Sequence, residues 1–311
     1  MALLRLCSGF CKLIHIARVT PPHLILDAMQ RYDADIRRSF ANCTGVDASD
    51  TAWKQAKMSL RRGGLGLRSL VDHSSAAYIA SFCTSGSVQT TLHLDKVISC
   101  VADCDILSIT SLIDNSPNQK KLSDSIEALQ FNSLLSTSST ADRAQLLSIS
   151  SPHASAWISV VPSISLGHGY GAESSLSRPA DILVHNWMIG KPAAFDLTVV
   201  SPLNSTTLNE AEVRSGSAAG KAEVRKHNAN DAKCTELGWV CIPLAVETYG
   251  CWGVEAQGSI SRLAARLALQ LQCSKSKAIT SIYQRLNLTL VRCNARALLS
   301  HARFQHSVGE G

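Results

Sequence analysis

Four residues between positions 181 and 226 have the types and the spacing needed to cleave a phosphodiester bond. Asp181 and Asp196 each stand in a short apolar run, and Glu223 and Lys226 follow on one predicted helix. Two carboxylates can hold Mg²⁺, and the bound cation lowers the pKa of water and neutralises a phosphate. A lysine stabilises the charge that develops during attack. We therefore expect the two aspartates to bind magnesium, with Lys226 and Glu223 completing the catalytic set.

The two aspartates share a face of the predicted hairpin in only some strand registers. Gly190 lies between the two runs and predicts a tight turn at Ile189–Gly190. With that turn, Asp196 lies opposite Leu183 and diagonal to Asp181 on the same face. A slip of one residue would send the carboxylates to opposite faces, so the site depends on the register.

A structural role is the competing interpretation for both aspartates. Asp181 follows Pro179 and Ala180 and could form a hydrogen bond at the start of the strand, whereas Asp196 is harder to explain in this way. It stands between Phe195 and Leu197 in an apolar run, and burial of an unpaired carboxylate is costly. An ion pair with Lys226 or Arg225 would remove that cost without any metal. Lys221 competes with Lys226 for the part of the catalytic lysine. The residues by themselves leave a metal site and an ion pair open.

The pattern of apolar residues predicts a helical part followed by a mixed part. Helices are expected at about 3–19, 22–42, 49–57, 71–83, 122–135, 140–148, 217–236, 253–272 and 276–303, and strands at about 180–187, 193–200 and 239–248. We expect an all-α N-terminal module at 1–150, a Ser/Gly-rich linker at 151–177 and an α/β domain at 178–311. In that domain a mixed sheet is covered by helices.

The charge pattern favours a nucleic-acid ligand. The net charge is +6, and the basic residues concentrate toward both ends of the chain around an acidic middle. Ordinary solvated helix faces give the same pattern and remain the alternative. The arginines expected to contact phosphates are Arg61, Arg62, Arg68, Arg292 and Arg296. The glycines beside the first three match no phosphate-loop spacing, so a plain turn is expected there.

Cysteine and hydropathy patterns restrict the cofactor and the compartment. The chain has eleven cysteines but no C-x-x-C pair, so we expect no zinc and reduced thiols. No apolar run is long enough to span a membrane, and the N-terminal residues lack a secretory pattern. We expect an intracellular, nuclear protein that does not interact with membranes.

Several segments, taken in order, resemble one family. The segments RPADI and DLTV, then AEVRK on a predicted helix and IPLAVET after it, resemble the restriction-like endonuclease domain of site-specific non-LTR retrotransposon polyproteins. That domain belongs to the PD-(D/E)XK nuclease fold. Upstream, GGLGLRS followed by AAYIAS resembles the segment after the reverse-transcriptase palm, around the thumb and the connector. The resemblance covers most of the chain.

The resemblance implies cleavage of DNA at an insertion site with Mg²⁺, with RNA as a further possible ligand. It places Asp181 at the first metal-binding aspartate and Asp196 at the second acid. Thr198 stands where the fold usually has its lysine. The retrotransposon domains supply the lysine from the following helix, and Lys226 matches that position.

Two departures from the family limit this expectation. No Tyr-x-Asp-Asp motif occurs, so the chain is not a reverse transcriptase by itself. The zinc knuckle of the family is missing, because 164–178 holds no cysteine and only His168. The first nuclease helix and its acid are missing too, and Glu173 is a poor substitute. Two alternatives therefore stay open: a remnant that binds nucleic acid without cleaving it, and an unrelated structural α/β protein.

Overall fold

The protein is a mixed α/β chain, mostly helical, with one small sheet. The computed structural model describes residue 10 and the ranges 13–84, 118–159, 181–188 and 190–308. None of the helices in these ranges combines the length and the apolar character that a membrane crossing requires. Two compact units are present, unit 1 at Met1–Thr137 and unit 2 at Ser138–Gly311.

The described residues of unit 1 form helices and turns. The α-helices are α1 Ile14–Val19, α2 Leu26–Thr44, α3 Asp50–Lys57, α4 Leu70–Thr84 and α5 Gln119–Thr137, with 3-10 turns at Pro22–Leu24 and Leu60–Arg62. One apolar cluster joins α1, α2 and α4 through Ala17, Met29 and Ala77. A second cluster joins α2 and α3 through Phe40 and Trp53.

Two helices of unit 1 begin next to a capping side chain, and one ends at a glycine. Ser49 accepts a hydrogen bond from the Ala52 amide at the start of α3, a residue type typical of this position. Gly45 ends α2 with a φ of 70°, a left-handed conformation that favours glycine. Helix α5 begins three residues before the expected start at 122, and Ser123 is buried inside it. The side chain of Asn118 accepts a hydrogen bond from the Lys120 amide at the start of α5.

Unit 2 contains all the strands of the described chain. Its elements are α6 Thr140–Ile149, a 3-10 turn at Ala154–Ser159, β1 Ile182–Met188, β2 Lys191–Val200, α7 Leu208–Ala211, α8 Ser217–Glu236, β3 Val240–Glu247, α9 Val254–Gln270 and α10 Lys275–Val308. The units divide earlier in the chain than the linker expected at 151–177, so α6 belongs with the sheet. Residues 160–180 of that region lie outside the described residues.

The sheet is mixed, with strand order β1-β2-β3. β1 pairs antiparallel with β2, and β2 pairs parallel with β3. The turn predicted after Met188 is confirmed, since Met188 pairs with Lys191 and Gly190 has a φ of 73°. The predicted pairing of Asp196 with Leu183 is wrong, because Leu183 pairs with Ala194. An irregularity between Val184 and Met188 shifts the register, and a bulge of this kind leaves no mark in the residue pattern.

Helices cover both faces of the sheet. Ala245 of β3 packs with Ala219 and Ala222 of α8 on one face. The next residue, Val246, points the other way and packs with Ala256 of α9. Successive side chains of a strand point to opposite faces, so this alternation places α8 on one side and α9 on the other. Ala194 of β2 packs with Cys234 of α8. Asp196 is two residues farther along β2, so its side chain lies on the same face of the sheet, toward α8.

Candidate active site

Asp196 is buried at the interface between β2 and α8. Its side chain is 9% exposed, and Oδ1 accepts a hydrogen bond from Lys226 Nζ at 2.8 Å. Its Oδ2 accepts a hydrogen bond from Asn230 Nδ2, also at 2.8 Å. Lys226 and Asn230 are four residues apart on α8, so one face of the helix supplies both donors. The sequence analysis missed Asn230, although its distance from Lys226 along the helix was a usable signal.

Asp181 lies beside Asp196 on the neighbouring chain segment. Asp181 directly precedes β1, whose ladder begins with the pairing of Ile182 and Phe195. The Asp181 amide donates to the Phe195 carbonyl at 2.9 Å, and its Oδ2 accepts from the Leu197 amide at 2.8 Å. Asp181 is exposed, whereas Asp196 is buried. Asp181 therefore bonds to the backbone on both sides of Asp196.

Glu223 does not join the two aspartates through any hydrogen bond in the described residues. Its Oε1 accepts from the backbone amides of Glu255 and Ala256, at 3.1 and 3.3 Å, in the first turn of α9. The N-cap of α9 is Gly253, which has no side chain, so Glu223 caps this helix from α8. Burial raises the pKa of the Glu223 carboxyl, and the amide hydrogen bonds oppose that rise. A helix-capping role accounts for its burial.

Glu247 makes the equivalent contact with the first turn of α8. It ends β3, is 1% exposed, and accepts from the amides of Ala218 and Ala219 at 3.1 and 3.5 Å. Those amides begin α8, whose N-cap is the side-chain-free Gly216. Burial raises the pKa of the Glu247 carboxyl against these hydrogen bonds. The sequence analysis did not single out Glu247, although a glutamate at the end of an apolar strand was visible.

The arginines expected to bind phosphates fall into two groups. Arg62 lies over the Phe131 ring at 5.5 Å, and Arg68 pairs with the buried Glu127 at 2.8 Å. Both side chains contact α5 from the segment that joins α3 to α4. Arg61 is exposed. The exposed Arg292 and Arg296 lie four residues apart on α10, so they share a face of that helix.

The glycine-rich turn of unit 1 uses its amides internally. The amides of Gly63, Gly64 and Gly66 donate to the carbonyls of Leu60, Ser59 and Met58. A Cβ at Gly64 would collide with the Met58 carbonyl oxygen, so the close backbone approach requires glycine here. The turn is a packing feature, as expected, and these three amides are not available to a phosphate.

A second polar cluster lies farther along α8. His227 bonds through Nδ1 to Asp231 at 2.8 Å and through Nε2 to Glu255 at 2.7 Å. Burial lowers the pKa of His227, but the hydrogen bonds and charges of the two carboxylates together raise it above its ordinary value. The thiol of Cys241 lies in the same cluster, and burial raises its pKa to about 12. A thiol with that pKa is not a nucleophile at neutral pH.

The apolar cavity of unit 2 lies away from these acids. It has a volume of about 510 Å³, and Trp157, Tyr249 and Leu290 are among the residues that line it. None of Asp181, Asp196, Glu223 and Lys226 lines it. The candidate chemistry therefore lies on the face of the sheet that α8 covers, and this cavity is not part of it.

Comparison of the chain with protein-family models, curated proteins and solved structures found no match.

Proposed function

We propose that this chain is a retrotransposon-derived protein whose second unit is a magnesium-dependent DNA endonuclease with a restriction-endonuclease-like fold. The observation that carries the proposal is the contact between Lys226 and Asp196 at 2.8 Å, with Asp181 hydrogen-bonded to the backbone of Phe195 and Leu197 on both sides of Asp196. Two acids and one lysine from a hairpin and the following helix are the set that phosphodiester hydrolysis requires. The segments that resemble the retrotransposon domain supply the same three residues.

The donor atoms at this point suit Mg²⁺. Asp181 and Asp196 offer carboxylate oxygens, the ligand type this ion selects, and the ion keeps several waters of its own. A bound Mg²⁺ would supply an activated water and would neutralise charge on the scissile phosphate. Lys226 would orient the attacking group and stabilise developing negative charge. Glu223 has no part in this set, because the amides of α9 bind its carboxylate.

Substrate binding would depend on exposed cations. Arg292 and Arg296 on α10 and Arg61 in unit 1 are the exposed members of the predicted set. Each lysine or arginine that neutralises a phosphate releases a counterion, which makes binding depend on salt. Arg62 and Arg68 contribute to the packing of unit 1 in this proposal.

A nicking assay with supercoiled plasmid, Mg²⁺ and the full chain tests the proposal. Asp196→Asn keeps the size of the side chain but removes its charge, so we expect nicking to fall by at least about a hundredfold. The matched control is Glu210→Gln, an exposed acid of α7 that pairs with Lys221 of α8. Equal nicking by the wild-type chain and Asp196→Asn would refute the catalytic assignment.

A specific observation favours a second candidate function, binding of nucleic acid without cleavage. Both oxygens of Asp196 already accept hydrogen bonds from Lys226 and Asn230. A carboxylate satisfied in this way is stable without a metal. This candidate predicts salt-dependent DNA binding that is equal in the wild type and Asp196→Asn, with no nicking by either. Arg292→Ala combined with Arg296→Ala would weaken that binding.

A further inference from the structure

The cluster around His227 has the composition of a transition-metal site. The ligand atoms of His227, Asp231 and Cys241 all lie within 4.8 Å of one another. The ligand atoms of tetrahedral zinc, with bonds of about 2.0–2.3 Å, lie roughly 3.3–3.8 Å apart, so the three side chains would shift by about an ångström to bind it. Imidazole nitrogen, carboxylate oxygen and thiolate sulfur are its usual ligands. The geometry points to a zinc site at His227, Asp231 and Cys241, with the neighbouring Cys234, which lies outside this group of three, as the fourth ligand.

The fourth position follows from the neighbouring thiol. Cys234 lies on α8, is 1% exposed, and hydrogen-bonds with the thiol of Cys241. His227, Asp231 and Cys234 are spaced by four and then three residues, so one face of α8 presents all three side chains. Cys241 faces them from β3. The short connection between helix and strand holds the two elements together, since the Trp239 amide donates to the Cys234 carbonyl at 2.8 Å.

The second nitrogen of the histidine supports this assignment independently. Nε2 of His227 lies 2.7 Å from Oε1 of Glu255, the second residue of α9. Metal-bound histidines typically donate their other ring N–H to a carboxylate, which fixes the tautomer and leaves the remaining nitrogen for the metal. Here Nδ1 is the nitrogen that faces Asp231. Both nitrogens therefore have the surroundings that a zinc ligand requires.

Only small movements separate the present arrangement from a bound one. Nδ1 and the Asp231 oxygen are 2.8 Å apart, and ligands of tetrahedral zinc lie roughly 3.3 Å apart. The Asp231 side chain is 54% exposed, so it can rotate to widen that gap. A coordinating thiol is deprotonated by the metal, and its proton leaves to solvent. The site would link α8 to β3, next to Asn230 and the face that holds Asp196, and it does not depend on the nuclease proposal.

Metal analysis of the full chain, with any affinity tag removed, tests the site. The reduced protein is dialysed with zinc and then against a weak chelator, and we expect about one zinc per chain. His227→Ala and Cys241→Ser should each lower the affinity by at least tenfold. The matched controls are His185→Ala and Cys293→Ser, which alter an exposed histidine and an exposed thiol outside the cluster. Circular dichroism confirms that each variant is folded.

Two further measurements separate a zinc site from a hydrogen-bonded cluster. Glu255→Gln should weaken zinc binding by about tenfold, because Glu255 orients the histidine without touching the metal. The cobalt-loaded wild type should show a thiolate-to-cobalt charge-transfer band that weakens in Cys241→Ser and is lost when Cys241→Ser is combined with Cys234→Ser. Zinc retention that is equal in the wild type and in His227→Ala would overturn the proposal. So would a reduced, folded wild type that takes up no zinc, or a Cys234–Cys241 disulfide that forms in place of metal uptake.

Discussion

Two kinds of buried carboxylate occur around α8, and they differ in what binds them. Glu223 and Glu247 accept hydrogen bonds from backbone amides in the first turn of a helix, α9 for Glu223 and α8 for Glu247. Asp196 accepts hydrogen bonds only from the side chains of Lys226 and Asn230 in the described residues. Backbone amides are fixed by the fold, whereas a lysine side chain can move. The comparison teaches that Glu223 and Glu247 stabilise the scaffold, while Asp196 can exchange one partner for another.

Removal of Glu247 should give the largest loss of stability. Glu247→Ala leaves two amides at the start of α8 without a partner in a buried place, so the free energy of unfolding should fall by about 3 kcal/mol. Urea denaturation measures it. Glu236→Ala, at the exposed end of the same helix, should change stability by less than about 0.5 kcal/mol. Similar losses in both variants would mean that Glu247 is not a cap.

The contact between Glu223 and the start of α9 should appear as a coupling between two substitutions. A Cβ added at Gly253 would collide with the Glu223 carboxylate, so Gly253→Ala pushes that carboxylate off the amides. We expect a loss of about 1–2 kcal/mol in the wild type. In the Glu223→Ala background the same change should be almost neutral, because the colliding group is gone. Additive losses of stability in the double variant would show that Glu223 does not cap α9.

The ion pair of Asp196 should contribute less to stability than either cap. Lys226 is 27% exposed, so water can replace part of its interaction, and Lys226→Met should cost about 1 kcal/mol. Lys221→Met, which breaks the exposed pair with Glu210, should cost less than about 0.5 kcal/mol. Thermal unfolding of both variants measures the difference. A cost for Lys226→Met as large as that of Glu247→Ala would erase the distinction between the two kinds of carboxylate.

The local sequence was sufficient for most elements of unit 2. The prediction for 217–236 coincides with α8, and those for β3 and α9 differ by one or two residues at their ends. Clear end signals mark these elements, such as Gly238 with a φ of 70°. The short helix α7 was missed, because a helix of four residues is too short to show a repeating pattern of apolar side chains. The turn at Ala154–Ser159 falls in the predicted linker for the same reason.

The candidate site was predictable only in its residue types. The pairing of Lys226 with Asp196 was one of the two interpretations that the residues left open, and the structure contains that contact. The metal site remains a prediction. The register was wrong because the bulge between Val184 and Met188 is set by packing of the strands and not by local preference. Glu223 was grouped with Lys226 from helix spacing alone, and its partner, the start of α9, is distant in sequence.

The sequence by itself determined which segments form helices and strands, where the turns fall and which carboxylates lie in apolar runs. These properties depend on the period of apolar side chains and on the conformations that glycine and proline allow, both of which are local. The tertiary structure decided which partner each buried acid takes. Asp196 binds Lys226 and Asn230, whereas Glu223 and Glu247 bind the first amides of α9 and α8. Burial requires a partner for every carboxylate but does not specify it, so only the packing of distant elements makes that choice.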